Sequence, residues 1–319
     1  MAEFALIDRI RARTTGRGDV VLGIGDDAAL LQPRAGAQLV VTADTLNSGV
    51  HFPAETPPAD IGWKTLAVNL SDLASMGAQP AWCTLALSLP GADADWIDAF
   101  ADGFFALADS SGIVLIGGDT TRGPLSLSVT AMGQVDTGLA LRRDAARVGD
   151  DIWVSGTLGD AAIALRAWQA GTLDVRQPAD DAAIEFLRQR LARPTPRVAL
   201  GRALAGIAHA AVDISDGLLA DLGHICTRSG VGAHIDPTLL PVSAAARARV
   251  GDASAREAAL RGGDDYELCF TAAPTQHDAV RALSERLSLP LTRVGTVMAG
   301  QGVHGAGSEP HAPGYEHFL

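Results

Sequence analysis

Residues 59–89 read ADIGWKTLAVNLSDLASMGAQPAWCTLALSL, and they join the two patterns that decide the fold class. Residues 59–77 have the length and apolar spacing of a helix, whereas residues 81–89 form a short, largely apolar run typical of a strand. The alternation continues on both sides, with strands predicted at 38–46, 112–119 and 125–135 and a helix at 94–111. This order predicts a chain of the α/β or α+β class.

A stretch rich in Gly, Asp and Arg at residues 136–151 indicates a domain boundary. We therefore predict two domains, residues 1–137 and residues 148–319. Beyond the boundary, the patterns predict strands at 152–157 and 231–236, helices at 216–230 and 273–288, a helical run over 181–206 that Pro194 and Pro196 interrupt, and a loop over 301–319.

Charge and cysteine content narrow the class of protein. Lys and Arg number 25 against 37 Asp and Glu, a net charge of −12, so nucleic acid is not an expected partner, because phosphate contacts need a basic surface. No apolar run approaches the roughly 20 residues of a membrane span, and the N-terminal residues lack a signal-peptide core. Cys83, Cys226 and Cys269 are odd in number and far apart, which argues against a disulfide framework. We expect a cytoplasmic protein with no membrane partner.

The chain contains a single lysine, Lys64, and this limits how it can bind phosphate. A Walker A loop needs a Gly-Lys-Ser/Thr sequence, whereas Lys64 follows a tryptophan, so a P-loop nucleotidase is excluded. The lysine, His-Arg-Asp and Asp-Phe-Gly set of protein kinases is also missing. Any bound phosphate would have to be neutralised by metal ions and arginines.

Residues 23–29, GIGDDAA, follow an apolar run and match the dinucleotide fingerprint G-x-G-x-x-[GA]. That motif places a pyrophosphate at a helix N-terminus, where the negative charges of Asp26 and Asp27 would repel it. The helix that the motif requires would also be stopped early by Pro33. We therefore interpret the segment as strand, turn and strand.

Aspartates recur where a predicted strand meets a turn, the position at which ligand crevices form in α/β sheets. Any one of them is explained more simply by the preference of Asp for turns and helix caps, but most of the set lies within or beside an apolar run. The members are Asp26, Asp27, Asp44, Asp119, Asp213, Asp216, Asp264 and Asp265.

Asp72 is harder to explain by turn preference, because it lies within a predicted helix of mostly apolar residues. Thr65, Asn69 and Asp72 follow i, i+4, i+7 spacing and so share one polar stripe. Small oxygen ligands suit a face turned toward a hydrated cation. Mg²⁺ prefers such ligands, with substrate phosphates completing its coordination, so Mg²⁺ could lie between the carboxylates and a bound phosphate.

The motifs GIGDDAAL (23–30), NLSDLASMGAQP (69–80), LIGGDTTRGPLS (115–126), VDISDGLLADLGHI (212–225) and GGDDYELCF (262–270) together resemble the thiamine-monophosphate kinase family. That family belongs to the aminoimidazole-ribonucleotide-synthetase-like superfamily. The resemblance runs in the family's order from about residue 3 to Phe318. It implies transfer of phosphate from ATP to thiamine monophosphate with several Mg²⁺ ions. The fold that the resemblance implies has an N-terminal α/β domain, which binds ATP and Mg²⁺, and a C-terminal α+β domain. It also implies a homodimer, in which the sheet of the N-terminal domain pairs with its copy to form a barrel.

The resemblance also implies the residues of the site. The expected metal ligands are Asp27, Thr42, Ala43, Asp44, Asp72, Asp119, Asp213 and Asp216. The expected ATP-phosphate contacts are Gly118, Asp119, Ser215 and Arg143, with Arg142 as the alternative arginine. The expected contacts to thiamine monophosphate are His51, Asp264 and Tyr315. No residue is expected to act as a covalent nucleophile.

The chain departs from the family's pattern at two positions. Ala43 stands where the family usually has Thr, so any metal contact there must come from the backbone carbonyl. Asp264 stands where the family usually has Glu, which is one methylene longer. Two alternatives remain open at this stage: another ATP-using enzyme of the superfamily, of the purine-pathway synthetase type, and a non-catalytic Mg²⁺-nucleotide-binding protein.

Independent of the resemblance, strands 81–89 and 125–135 are apolar enough that an uncovered edge or face would be a liability. This again predicts a homodimer built through the N-terminal sheet.

Overall fold

The computed structural model describes residues 3–305, with side chains from Leu6 onward. The contacts divide the chain into two compact units, which are described separately. Unit 1 comprises Met1–Leu73, Ala78–Gly138 and Val175–Gln177, and unit 2 comprises Ala74–Gly77, Leu139–Asp174 and Pro178–Leu319.

The elements up to residue 138 alternate between helices and strands, as the pattern predicts. They are α1 (Glu3–Arg11), β1 (Val20–Leu22), β2 (Leu30–Leu31), β3 (Ala37–Asn47), α2 (Pro58–Ser75), β4 (Gln79–Leu89), α3 (Ala94–Ser111), β5 (Val114–Arg122) and β6 (Ser126–Asp136). Four of the strands form one sheet in the order β3-β6-β4-β5. The pairs β3/β6 and β4/β6 are antiparallel, and β4/β5 is parallel.

Two glycines allow α2 and α3 to pack closely. A Cβ at Gly62 would lie 2.1 Å from the carbonyl oxygen of Phe100, and a Cβ at Gly103 would lie 1.7 Å from that of Ala59. Around this contact the side chains of Leu66 and Phe104 are fully buried. Burial of these apolar side chains stabilises the helix pair and fixes α2, which carries Asp72.

The apolar surface of the sheet is divided unevenly between its strands. Leu85 on β4 and Val129 on β6 are buried inside unit 1, whereas Leu39 and Val41 on β3 are 50% and 59% exposed. The uncovered apolar surface therefore lies on the edge strand β3. Residues 81–89 and 125–135 bury most of their large apolar side chains, so they do not supply exposed surface for the predicted homodimer, which stays a prediction.

The remaining elements form an α+β arrangement. They are β7 (Asp151–Ser155), α4 (Asp160–Gln169), α5 (Ala182–Ala192), α6 (Val198–Ala203), β8 (Ala208–Ile214), α7 (Leu218–Ser229), β9 (Gly232–Ile235), α8 (Ala244–Val250), α9 (Asp252–Arg261), β10 (Glu267–Ala272), α10 (His277–Leu287), β11 (Leu291–Met298) and β12 (Gly302–His304). The strands make one sheet in the order β12-β9-β11-β7-β10-β8, antiparallel except for the β9/β12 pair. Leu268 and Phe270 on β10 are fully buried and belong to a core cluster of unit 2.

Most predicted elements are present, with shifted ends. The helix predicted at 94–111 has those bounds, and the helical run over 181–206 does break at the two prolines, between Ala192 and Val198. The loop predicted from residue 301 is wrong for Gly302–His304, which pair in parallel with β9. Within residues 3–305, no helix is long and apolar enough to cross a membrane.

Candidate functional site

Strand β3 and helix α2 bring together three of the predicted metal ligands in unit 1. The hydroxyl of Thr42 donates to Oδ2 of Asp72, and Asn69 accepts from the backbone N–H of Asp44 at 3.1 Å. Asn69 is fully buried, so it connects the helix to the strand. The polar stripe predicted on α2 therefore faces β3. Thr65, its remaining member, donates to the carbonyl of Ile61 at 2.7 Å within the helix.

The carboxylates of Asp44 and Asp72 lie close enough to repel each other. Burial, followed by the negative charge of Asp72, raises the pKa of Asp44 to about 6. A cation bound beside the two carboxylates would relieve this repulsion and would favour their ionised forms. The electrostatics of this group therefore suit a positively charged ligand.

The donor chemistry of this group fits Mg²⁺ that is held jointly with phosphate. Its side chains offer only hard oxygen ligands, two carboxylates and one hydroxyl, which Mg²⁺ prefers. Among the described residues, no group of three or more His, Cys, Asp or Glu side chains is arranged to hold a metal ion. Because Mg²⁺ commonly takes one or two carboxylates and completes its coordination with substrate phosphates and water, this arrangement suffices for a shared site but not for an all-protein cage.

Asp27 lies in the turn between β1 and β2, and its side chain is exposed. Its backbone N–H donates to Oδ1 of Asp26 at 2.8 Å. The two flanking strands pair antiparallel, so the strand, turn and strand interpretation is confirmed and the dinucleotide fingerprint is excluded. Ala43 alternates with Thr42 and Asp44 along β3, and its side chain is exposed.

Asp119 is not part of the Asp44–Asp72 group. It lies on β5, which is three strand spacings from β3 in the sheet order, about 14 Å along the sheet. Both Asp44 and Asp119 lie inside their strands, so the expectation that they mark strand ends was wrong. The end of β5 contributes Thr120, Thr121 and Arg122 to the lining of a cavity of about 320 Å³, in which Asp119 itself does not take part.

Packing between strands β4 and β5 explains why residue 118 is a glycine. Its φ is 152°, and a Cβ at this position would lie 1.8 Å from the carbonyl oxygen of Leu85 on β4. Only glycine fits there, because any side chain would collide with the neighbouring strand. Its presence therefore needs no phosphate to explain it.

His51 lies in the turn after β3 and is half-buried. Its Nδ1 accepts from the backbone N–H of Asn47 at 2.9 Å, which places the proton of a neutral ring on Nε2. Nε2 is therefore the nitrogen that can donate to an anionic ligand. Tyr315, the last predicted contact, lies outside the described residues.

In unit 2 the loop after β8 and the segment before β10 run side by side. The backbone N–H of Asp264 donates to the carbonyl of Ser215 at 2.8 Å, and that of Tyr266 donates to the carbonyl of Ile214 at 2.9 Å. The fold thereby brings the predicted residues Ser215 and Asp264 next to each other. Asp213, which is buried, is the second-last residue of β8, and Asp216 follows in the loop.

Asp221 on α7 supports this loop, and the sequence analysis missed it. Its Oδ2 accepts from the backbone N–H groups of residues 215, 216 and 217 at 3.0–3.1 Å. Burial raises the pKa of Asp221 to about 7. Because the N–H of Ser215 already donates to Asp221, any phosphate contact of this residue would come from its hydroxyl. The signal was present in the sequence, since Asp221, like Asp72, is an aspartate among apolar helix residues.

The structure separates the roles of the two adjacent arginines. Nε of Arg142 donates to Oδ1 of Asp144 at 2.8 Å, and this exposed pair raises the pKa of Arg142 and lowers that of Asp144. The positive charge of Arg143 instead acts on Asp221, whose pKa it lowers against the larger effect of burial. Arg142 is thus engaged by Asp144, whereas the charge of Arg143 acts on the residue that supports the Ser215 loop, so Arg143 is the better candidate for a phosphate contact.

Comparisons with known proteins agree with this arrangement of motifs. Residues 25–135 match the N-terminal domain of the AIR synthase related proteins, and residues 147–306 match their C-terminal domain. A thiamine-monophosphate kinase of Salmonella typhimurium is 48% identical over 301 residues, which cover 93% of this chain and 90% of that protein. The chain belongs to the thiamine-monophosphate kinase family.

Solved structures of the thiamine-monophosphate kinase family have the same fold. The crystal structure of the enzyme from Stenotrophomonas maltophilia is 72% identical, covers 95% of this chain and 96% of its own, and gives a TM-score of 0.91. AaThiL complexed with AMPPCP and TMP is 32% identical, covers 99% and 97%, and gives a TM-score of 0.79. The family and the fold class inferred from the sequence motifs are thereby confirmed.

Proposed function

We propose that this chain catalyses the ATP-dependent phosphorylation of thiamine monophosphate to thiamine diphosphate. The observation that carries this proposal is the match, over nearly the whole of both chains, to AaThiL complexed with AMPPCP and TMP. Relatives 46–48% identical over 301 residues have the name thiamine-monophosphate kinase, which supports the same reaction. The chain is a phosphotransferase, and ATP is its phosphoryl donor.

In this proposal the two units carry different groups of ligands. Unit 1 provides the oxygen ligands of Mg²⁺ from Asp27, Thr42, the Ala43 carbonyl, Asp44, Asp72 and Asp119, and unit 2 provides Asp213 and Asp216. Bound Mg²⁺ supplies positive charge that offsets the repulsion between anionic phosphates. Gly118, Asp119, Ser215 and Arg143 contact the phosphates of ATP.

The acceptor is assigned to His51, Asp264 and Tyr315. Thiamine carries a cationic thiazolium, which the carboxylate of Asp264 and the ring face of Tyr315 can stabilise. Nε2 of His51 can donate to the acceptor phosphate, because Nδ1 is already engaged. An oxygen of that phosphate is charged at neutral pH, so it can attack the γ-phosphorus of ATP without a strong base, while the bond from that phosphorus to the β,γ-bridging oxygen breaks and ADP leaves. Direct transfer of the phosphoryl group therefore depends on positioning ATP and thiamine monophosphate and on neutralising the charges of their phosphates. It depends less on removing a proton from the acceptor.

We also propose that the protein is a homodimer formed by the N-terminal domain. Two copies of the β3-β6-β4-β5 sheet provide eight strands, a number that closes into a barrel filled with side chains. Leu39 and Val41, exposed on β3, would be buried by such an arrangement. Finally, we assign the protein to the cytoplasm, because Cys83, Cys226 and Cys269 are free thiols and its donor is ATP.

One assay of product formation tests the proposed function. Purified protein is incubated with ATP and Mg²⁺ and, in separate reactions, with thiamine monophosphate, thiamine or an aminoimidazole precursor. We expect stoichiometric ADP and thiamine diphosphate with thiamine monophosphate alone. ADP formed only with the purine precursor would instead indicate the synthetase alternative. ATP binding without turnover of any acceptor would indicate a non-catalytic protein.

A further inference from the structure

The segment from Asp264 to Tyr266 has an uncommon backbone conformation next to the loop that carries Ser215. Asp264 has φ 68° and Tyr266 has φ 50°, both in the left-handed region. A bulky residue such as tyrosine rarely adopts this region, and such a conformation persists only where the surroundings hold it. The surroundings of this segment therefore show what keeps Asp264 in place.

Arg190 holds the centre of this segment. Nη2 of Arg190 donates to the backbone carbonyl of Asp265, between the two left-handed residues, at 3.2 Å. It donates also to the carbonyl of Thr157 at 3.2 Å and to Oε1 of Glu267 at 3.0 Å. Arg190 lies on α5 and is only 9% exposed. One buried side chain, 75 residues away in sequence, thus fixes the backbone beside Asp264.

Arg190 is itself held by a buried carboxylate. Glu267 is fully buried and accepts from Arg190, from Nε of Arg197 at 2.6 Å and from the hydroxyl of Ser155 at 2.5 Å. A Cβ at Gly156 would lie 2.3 Å from Oε1 of Glu267, so glycine at this position makes room for the carboxylate. Glu267, the carboxylate partner of Arg190, is therefore itself fixed by further contacts.

The cluster places carboxylates next to its guanidinium groups. Burial raises the pKa of Asp265 well above its ordinary value, which favours its neutral form. The carboxylate of Asp160 lies 3.8 Å from Nε of Arg190, and the carboxylate of Glu267 contacts both Arg190 and Arg197. Apolar side chains of similar volume would fill this space without the desolvation of charges, so stability alone is a weak reason for the cluster.

We propose that Arg190 and Tyr266 are positioning residues for the binding of the phosphate acceptor. Arg190 fixes the backbone on the C-terminal side of Asp264, and the hydroxyl of Tyr266 donates to Oδ1 of Asp264 at 3.1 Å and orients its carboxylate. The inference rests on the proposed function, in which Asp264 contacts thiamine monophosphate. Both residues act through Asp264 and not on the donor.

The substitutions Arg190→Lys and Tyr266→Phe test this inference. Arg188→Lys is the matched control, because Arg188 is also a buried arginine on α5 but pairs with Glu185. We expect either test substitution to raise KM for thiamine monophosphate about tenfold, the effect of losing one hydrogen bond to a charged or fixed group. The Kd for ATP with Mg²⁺, measured by calorimetry without acceptor, should change less than about twofold by the same reasoning. The control should leave both constants unchanged.

A double-mutant cycle distinguishes positioning from a structural role. In an Asp264→Ala background, neither test substitution should raise KM for thiamine monophosphate further, because the residue through which they act is gone. Undiminished effects in that background, or equal losses of donor and acceptor binding, would overturn the inference. If Arg190→Lys does not fold by circular dichroism, Tyr266→Phe, which removes one hydroxyl, decides the outcome alone. Wild-type and Arg188→Lys proteins that make no thiamine diphosphate would refute the proposed function, and this inference with it.

Discussion

Asp72 shows how one residue can connect the fold to the proposed chemistry. It lies on α2, accepts from Thr42 on β3, and its negative charge contributes to the raised pKa of Asp44. Without a cation, two neighbouring carboxylates oppose each other's ionisation. Asp72 is therefore the position at which the loss of a single carboxylate charge should test the proposed Mg²⁺ binding most directly.

The substitution Asp72→Asn should weaken ATP binding without unfolding the protein. Asn keeps the shape and an acceptor oxygen for Thr42 but removes one anionic ligand, so we expect ATP affinity with Mg²⁺ to fall at least about tenfold, or about 1.4 kcal/mol. Calorimetry at saturating Mg²⁺ measures this change. Asp252→Asn is the control, since Asp252 is an exposed residue paired with Arg247 and Arg256. Equal ATP affinity for the two variants would show that Asp72 is not a metal ligand.

His51 is not expected to become phosphorylated. Its Nδ1 is engaged by Asn47, and in the proposal its Nε2 donates to the acceptor phosphate. We therefore expect no labelled protein after incubation with γ-labelled ATP and Mg²⁺ without acceptor, followed by a quench that preserves phosphohistidine. Full activity should follow when thiamine monophosphate is added. Stoichiometric label on His51 that passes into thiamine diphosphate would contradict direct transfer.

At the scale of elements, strand β5 has two adjacent glycines, of which one has room for a side chain and the other has none. A Cβ at Gly117 would meet nothing within 4 Å, whereas one at Gly118 would collide with the backbone of β4. We expect Gly118→Ala to lower the free energy of unfolding by on the order of 3 kcal/mol, because it adds a steric clash to a strained φ. Gly117→Ala should change it by less than about 1 kcal/mol. Urea denaturation of both variants measures the difference, and similar midpoints would contradict the sheet-packing explanation.

At the scale of the whole molecule, the exposed apolar side chains of β3 argue for self-association. We expect light scattering at micromolar concentration to give twice the chain mass of 32.9 kDa. Val41→Lys should shift the protein toward monomer, because a charge in a buried apolar interface is costly. Val148→Lys is the control, since Val148 is 60% exposed but lies in unit 2. A wild-type monomer, or equal behaviour of both variants, would exclude a dimer through this sheet.

Local signals in the sequence determined much of this protein by themselves. Helix α3 has the predicted bounds because its ends are set by neighbours: Asp93 accepts from the N–H groups of Asp95 and Trp96, and Gly112 ends the helix with φ 69°. Prolines separate α5 from α6 in the same local way. The motifs were sufficient to identify the family and so the reaction, since chemistry of this kind requires particular residues in a fixed order.

Only the tertiary structure decided which partners those residues have. It showed that the polar stripe of α2 faces β3, that Asp119 lies about 14 Å along the sheet from Asp44, and that β12 pairs with β9. It also revealed the contact between Arg190 and Glu267, which are separated by 77 residues. Periodicity and turn preference report on a residue's neighbours in sequence. Strand pairing and the burial of charge depend on distant segments, whose approach is set by the packing of the whole unit.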